Sequence, residues 1–236
     1  MNAFSEELSE IQIKASKKKI FELKRLKDVV GTSIYAGKKT EVVLVAQSMA
    51  NLASNNARQI YSQVAGLNIF QNDDAGLQLN IGGRGLDPNR TSNFNTRQNG
   101  YDISADVLGY PESYYTPASE GLEEIQVVRG AASLQYGTQF GGLVNFITKS
   151  PNPNKVLEIT TRNTKGSFGL YTNFTSLSGT KNKLSYYSYF NYKRGDGFRP
   201  NSEFESKNIF FYLGYDLNKN NKFSIEVTYL DSVSYT

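Results

Sequence analysis

From Val156 onward the chain repeats one pattern, segments of roughly ten residues that alternate in polarity and are parted by turns. The segments are 156–163, 169–177, 184–194, 206–217 and 222–234. In the last, Phe223, Ile225, Val227 and Tyr229 fall on one side and Ser224, Glu226 and Thr228 on the other, and Ile209, Phe211, Leu213, Tyr215 and Leu217 repeat the alternation. A period of two belongs to strands, because successive side chains point to opposite faces. Long strands with one apolar face, one polar face and aromatics near their ends are the pattern of membrane β-barrels. The alternative is an antiparallel sandwich, whose strands usually run about 5–6 residues.

Before Pro151 the grammar differs. Residues 125–149 read as strand, tight turn, short helical turn, Gly-rich turn and strand: Ile125, Val127 and Val128 lead into Arg129-Gly130, Ala131 to Tyr136 is Ala-rich, and Leu143 to Thr148 resumes as a strand. Upstream, Thr40 to Val45 predicts a strand. Asn56 predicts the cap of a short helix with Ala57, Ile60, Tyr61 and Val64 on one face and Gly66 past its end. Leu67 to Phe70 and Gln78 to Ile81 predict two brief strands, and Asn99-Gly100 predicts a tight hairpin turn. The cluster Gly82-Gly83-Arg84-Gly85 lacks the Lys-Ser/Thr ending of a phosphate loop. Ile20, Leu23 and Leu26 recur at helical spacing on a basic background, which predicts a fraying basic helix.

Residue types exclude much chemistry. The chain has no histidine and no cysteine, hence no imidazole base, thiol nucleophile, disulfide or His/Cys metal site. No paired carboxylate or Ser-Lys signature replaces them, so no enzyme, cofactor or metal site is expected. The net charge of +4 lies largely near the N-terminus and reads as a solvated segment rather than a nucleic-acid footprint. No apolar run approaches the ~20 residues of a spanning helix. The opening Met-Asn-Ala-Phe-Ser-Glu-Glu is no signal peptide, so an export signal is expected outside these residues. Two polar loops, one over residues 86–97 and an aromatic one over 110–117, are the natural places for recognition.

Taken together, these residues resemble a TonB-dependent outer-membrane receptor. The resemblance runs through the strand at residues 40–45, Val64-Ala65-Gly66-Leu67, Ile81 to Gly85, the Asn-Gly hairpin, Ile125 to Gly137 and Gly141 to Lys149. Gly85 to Arg90 and the tyrosine-rich loop are similar to the ferric dicitrate receptor branch. The resemblance implies an α+β plug domain followed by the first antiparallel strands of a transmembrane β-barrel, 22-stranded in complete members. It divides the chain into an N-terminal periplasmic extension (1–38), the plug (39–150) and about five barrel strands (151–236). Five strands cannot close in lipid, so a piece of a longer receptor is expected.

The implied function is uptake of an iron chelate, ferric citrate or a siderophore, across the outer membrane of a Gram-negative cell, energised by TonB. Cobalamin, haem or a glycan remain alternative cargoes, and a soluble β-rich binding module is the alternative of another class. The resemblance implies cargo contacts at Arg90, Asn93, Asn95, Arg97, Tyr114 and Tyr115, the arginines gripping carboxylates bidentately. Glu10-Ile11-Gln12-Ile13-Lys14-Ala15 resembles the TonB box, a peptide that adds as a strand to its partner. Arg84 and Arg129 resemble plug arginines that lock onto barrel-wall glutamates.

Overall fold

A computed structural model describes residues 23–36, 39–105, 113–137 and 139–234. Its first elements are a hairpin of β1 (Val29–Val30) and β2 (Ser33–Ile34), then β3 (Lys39–Leu44) and a 3-10 turn at Val45–Gln47. The helix α1 (Ala57–Ile60) starts where the Asn56 side chain accepts a hydrogen bond from the Gln59 amide at 3.1 Å. Next come β4 (Leu67–Phe70), β5 (Asn80–Gly83), β6 (Phe94–Gln98) and β7 (Tyr101–Asp102). Asn99 and Gly100 turn β6 into β7 with φ of 50° and 86°, the left-handed pair that a two-residue hairpin turn demands. The domain closes with β8 (Leu122–Arg129), a 3-10 segment Gly130–Tyr136 and β9 (Gly142–Thr148).

These strands form a five-stranded mixed sheet in the order β3-β8-β9-β6-β7, in which β6 and β9 run parallel and all other pairs antiparallel; β4 and β5 pair separately. Its core joins Val43, Ile125, Val127, Val144 and Phe146 of the sheet to Ile60, Tyr61 and Val64 around α1. Gly142 lies at φ 116°, and a Cβ added there would meet the Val128 carbonyl oxygen at 2.3 Å, so a side chain is blocked by conformation and by space.

The Ala-rich stretch forms the short helical segment expected, wound as a 3-10 helix. One expectation needs correction. The described part of the expected basic helix, from Leu23, is extended: Lys24 bridges antiparallel to Val42, and the Leu26 amide donates to Thr40 Oγ1 at 3.0 Å. Leu23 and Leu26 are drawn onto separate apolar clusters of the plug, and that burial outweighs helical spacing on a short segment.

The second half is one antiparallel sheet of β10 (Glu158–Lys165), β11 (Tyr171–Lys181), β12 (Leu184–Gly195), β13 (Phe204–Asp216) and β14 (Lys222–Ser234), each paired to the next. Register puts Leu184, Tyr215 and Phe223 in one outward row, Ser188, Phe211 and Val227 in a middle row, and Tyr192, Lys207 and Asp231 in another. Eight residues of β12 separate the first row from the charged last one, roughly 27 Å along the strand at ~3.4 Å per residue, which at a tilt of ~35–45° covers roughly 20 Å of height, close to the ~25 Å apolar band of a membrane barrel. The opposite face carries Phe174, Tyr187, Tyr189 and Phe210, buried in one cluster with Ala118 of the plug. Tyr189 stacks on Phe210 with centroids 5.6 Å apart. The sheet thus presents one face to lipid and the other to the plug.

Candidate functional site

Arg90 sits in a 3-10 turn (Asn89–Thr91) after β5 with φ of 50°, a left-handed backbone fixed by its surroundings. Its amide donates to Asn80 Oδ1 at 2.8 Å, Thr91 Oγ1 donates to the Leu79 carbonyl at 2.6 Å, and the Ser113 amide donates to the Arg90 carbonyl at 2.8 Å. Asn80 and Thr91 are both buried, so the turn is clamped from beneath. The same clamp brings the two polar loops together. Arg90 Nη1 donates to the Tyr114 hydroxyl at 2.9 Å and its guanidinium lies 5.1 Å from the Tyr114 ring centroid.

Of the six residues expected to hold cargo, these two meet. Asn93 follows on the same loop, its side-chain Nδ2 donating to the Asp87 carbonyl at 3.0 Å. Arg97 does not join Arg90. Its Nε donates to Asn95 Oδ1 at 2.7 Å, Nη1 to the Gly100 carbonyl at 2.6 Å and Nη2 to the Tyr136 carbonyl at 3.0 Å, and the group lies over the Tyr136 ring. Three of its five N–H groups are thus spent inside the plug, and the Asp102 carboxylate lies 3.8 Å from Nη2. Asn95 is buried between Arg97 and Asp102. Burial pushes the Asp102 carboxyl up, but hydrogen bonds from Ser104 and Asn95 and the charge of Arg97 more than offset this, leaving it below its ordinary range. Tyr115 lies beside Tyr189, Asn208 and Thr228 of the wall and donates to Gln98 Oε1 of the plug's own β6 at 2.9 Å; burial pushes its hydroxyl up to about 12.

A neighbouring loop ties the plug to the wall. The Asp73 carboxylate accepts from the amides of Ala75 and Leu77 at 2.9 Å and of Gln78 at 3.3 Å. Asp74 accepts from the Phe198 amide, in the β12–β13 connection, at 3.0 Å. Gln78 Nε2 in turn donates to the Ser113 carbonyl, one residue from Tyr114. The wall grips plug backbone at further points: Lys193 Nζ donates to the Ala75 carbonyl at 3.0 Å, Tyr187 to that of Gly121 at 3.2 Å and Asn208 to that of Thr116 at 3.3 Å.

The expected locks resolve differently. Arg129 is buried and pairs with Glu41 of β3, while Nη1 donates to the Ala65 carbonyl at 2.7 Å; its carboxylate belongs to the plug, not to the described wall. Arg84 is exposed at φ 58° and makes no ion pair among the described residues. Among the described residues the ion pair that joins plug to wall has the opposite polarity: Glu120, with its side chain 2% exposed, accepts from Arg162 of β10 at 2.8 Å. Lys149 donates to the Glu120 carbonyl at 2.7 Å, and burial pulls its ammonium below the ordinary range. Sequence reasoning missed Glu120, a lone acid in a loop, which only the curl of β10 past the plug gives a partner. Glu10 to Ala15, the expected TonB box, lie outside the described residues.

The family model described as TonB-dependent Receptor Plug Domain matches residues 37–143. A ferric enterobactin receptor of Pseudomonas aeruginosa is 28% identical over 160 residues, which is 61% of this chain and 20% of that protein. The ferric enterobactin receptor PirA of the same organism is 31% identical over 137 residues, 52% of this chain and 17% of that protein. Among solved structures, the unliganded ferric citrate transporter FecA superposes with a TM-score of 0.68 over 85% of this chain and 32% of its own, at 22% identity. The chain therefore spans about a fifth of the curated relatives it matches, and at that identity the likeness to FecA is one of fold.

Proposed function

The chain belongs to the TonB-dependent receptors of the Gram-negative outer membrane, near the siderophore and iron-chelate receptors, and from that premise we propose that it is the plug and first wall of a transporter that imports a ferric chelate. The observation that carries this reading is the arrangement of the two halves. The plug is seated on the buried aromatic face of a sheet whose outer face is an apolar band of membrane height. A plug held in a barrel lumen is a gate, and a gate needs a recognition surface and a pull.

Arg90 and Tyr114 form the recognition surface, with Asn93 beside them. A guanidinium next to a phenol suits the carboxylates or phenolates of an iron chelate, and an Arg on a clamped turn loses little freedom on binding. Arg97, Asn95 and Tyr115 serve the plug's internal geometry instead. The pull enters through Glu10 to Ala15, which add as a strand to TonB. The Lys24–Val42 bridge lies on the same tail, so tension on residues 10–15 reaches it before the sheet.

The test uses the complete receptor in a cell deprived of iron, with radiolabelled ferric citrate and ferric enterobactin as probes. Wild type binds and imports at least one of them, and Ile11→Pro, which removes a strand amide, binds but does not import. Normal import by Ile11→Pro would remove the TonB-box assignment. Absence of binding and import for both chelates in wild type would remove the iron-chelate reading.

A further inference from the structure

Asn99-Gly100 is the one Asn-Gly pair in the chain, and such a pair is chemically labile. With no side chain on the following residue, the backbone nitrogen of Gly100 meets little hindrance in closing on the Asn99 side chain. In that reaction a bond forms between Gly100 N and Asn99 Cγ and the Cγ–Nδ2 bond breaks. Ammonia leaves, taking the Gly100 amide proton with it. Water then opens the cyclic imide at either of its two carbonyls, giving aspartate or isoaspartate, and no other reactant is needed. Ring closure asks for two freedoms: a Gly100 amide able to give up its proton, and an Asn99 side chain able to swing onto it.

Both freedoms are withheld in this fold. The Gly100 amide donates to Asn145 Oδ1 at 3.0 Å, and Asn145 is buried with its Nδ2 donating to Gln126 Oε1 at 3.0 Å. Asn99 Oδ1 accepts from the Thr148 amide at 3.0 Å. Asn99 Nδ2 donates to Thr148 Oγ1 at 3.0 Å and to Glu226 Oε2 of β14 at 3.0 Å. The Asn99 backbone amide donates to the Phe146 carbonyl at 2.9 Å, which fixes the chain just before the labile bond. The plug thus holds one side of the carboxamide and the wall the other. Gly100 itself is exposed, so restraint rather than exclusion of water stops the reaction.

We propose that Asn99 is a deamidation site that the seated plug keeps silent, with Glu226 of the wall guarding its amide nitrogen. Reaction proceeds from the open hairpin, so its rate scales with the fraction of time the Asn99–Glu226 contact is broken. The product does not reseat. Aspartate sets a carboxylate against Glu226 where an N–H now donates, and like charges at hydrogen-bond distance repel. Isoaspartate adds a methylene to the main chain, and the two-residue turn that sets Gln98 opposite Tyr101 has no room for it. The modification is therefore a one-way record of how often this corner of the plug has left the wall.

The test incubates the complete receptor in mildly alkaline buffer, once in lipid vesicles and once in denaturant. Mass spectrometry follows the peptides carrying Asn99 and Asn201, with aspartate and isoaspartate separated. Asn201, exposed in the β12–β13 connection and followed by Ser202, is the internal reference. Relative to Asn201, Asn99 is expected to deamidate about tenfold or more slowly in vesicles than in denaturant. Glu226→Ala is expected to raise the Asn99 rate in vesicles about threefold or more, while Glu226→Gln, which keeps an acceptor, stays near wild type. Equal relative rates in vesicles and denaturant overturn the protection, and a Glu226→Ala rate equal to wild type overturns the guard. Should Glu226→Ala fail to insert, Glu226→Met removes the acceptor at similar length, with the same outcomes. Asn99→Asp is expected to speed amide exchange in the β6–β7 hairpin about tenfold, and Asn99→Asp/Glu226→Gln to reverse it. Exchange unchanged by Asn99→Asp overturns the claim that the product does not reseat.

Discussion

Replacing Glu41 by alanine tests how the plug sheet is held. Glu41 and Arg129 sit on neighbouring antiparallel strands, two residues out of direct opposition, with side chains 12% and 4% exposed. Without the carboxylate, the guanidinium keeps the Ala65 carbonyl and little else, since its Nε is already unpaired. Removing one partner of a buried pair costs about 3–5 kcal/mol, a large share of the ~5–15 kcal/mol that holds a domain together. Native-state hydrogen exchange on the complete receptor reads this directly. Amides of β3 and β8 in Glu41→Ala are expected to exchange faster by about a hundredfold to a few thousandfold. Glu41→Leu/Arg129→Leu removes both charges and is expected to recover to within about 1–2 kcal/mol of wild type. An exchange change under about threefold in the single variant, or a double variant no better than the single, would refute the argument.

Val227→Lys places an ammonium in the middle row of the outward band and is expected to destabilise the folded barrel by about 2–4 kcal/mol in reversible unfolding from lipid vesicles, whereas Thr228→Ser on the opposite face leaves it nearly unchanged. Arg90→Ala is expected to weaken binding of an anionic chelate by about 1.5–3 kcal/mol in titration calorimetry, and Tyr114→Phe by about 0.5–1.5 kcal/mol. Burial raises the hydroxyls of Tyr35 and Tyr115 to about 12. A raised pKa means that the neutral form is favoured in the fold, so this stability is complete below pH ~10 and is lost as pH climbs through 12. Tyrosinate absorbance should show these two residues ionising only as the plug opens, and ordinary ionisation near pH 10 would contradict their burial.

Much of this fold was legible because strands announce themselves by a period of two. The last two barrel segments, the Asn99-Gly100 turn and the Asn56 cap all follow from spacing and from what those residue types do to a backbone. The inner aromatics were less legible: Tyr187, Tyr189 and Phe210 lie among serines and asparagines, and only the plug's presence makes that face a place for rings. Arg97 shows a different limit. Its charge suggested a ligand, but its partners are the carbonyls of Gly100 and Tyr136, and backbone acceptors leave no mark in a sequence. The Glu41–Arg129 pair was in reach. Glu41 alternates with Val43 and Val45, and Arg129 with Ile125 and Val127, so each charge falls on the core face of its strand and required a partner there.

Part of the wall's hold on the plug falls on the main chain, through the carbonyls of Ala75, Thr116 and Gly121. Those oxygens exist whatever side chains the plug carries. Side-chain changes at such positions leave those acceptors in place where space allows, while Gln98, Asn99 and Glu120, which grip the wall through their side chains, are not free to vary. A graft of foreign recognition loops onto this cork should accordingly still seat, which makes specificity exchangeable while the docking stays fixed.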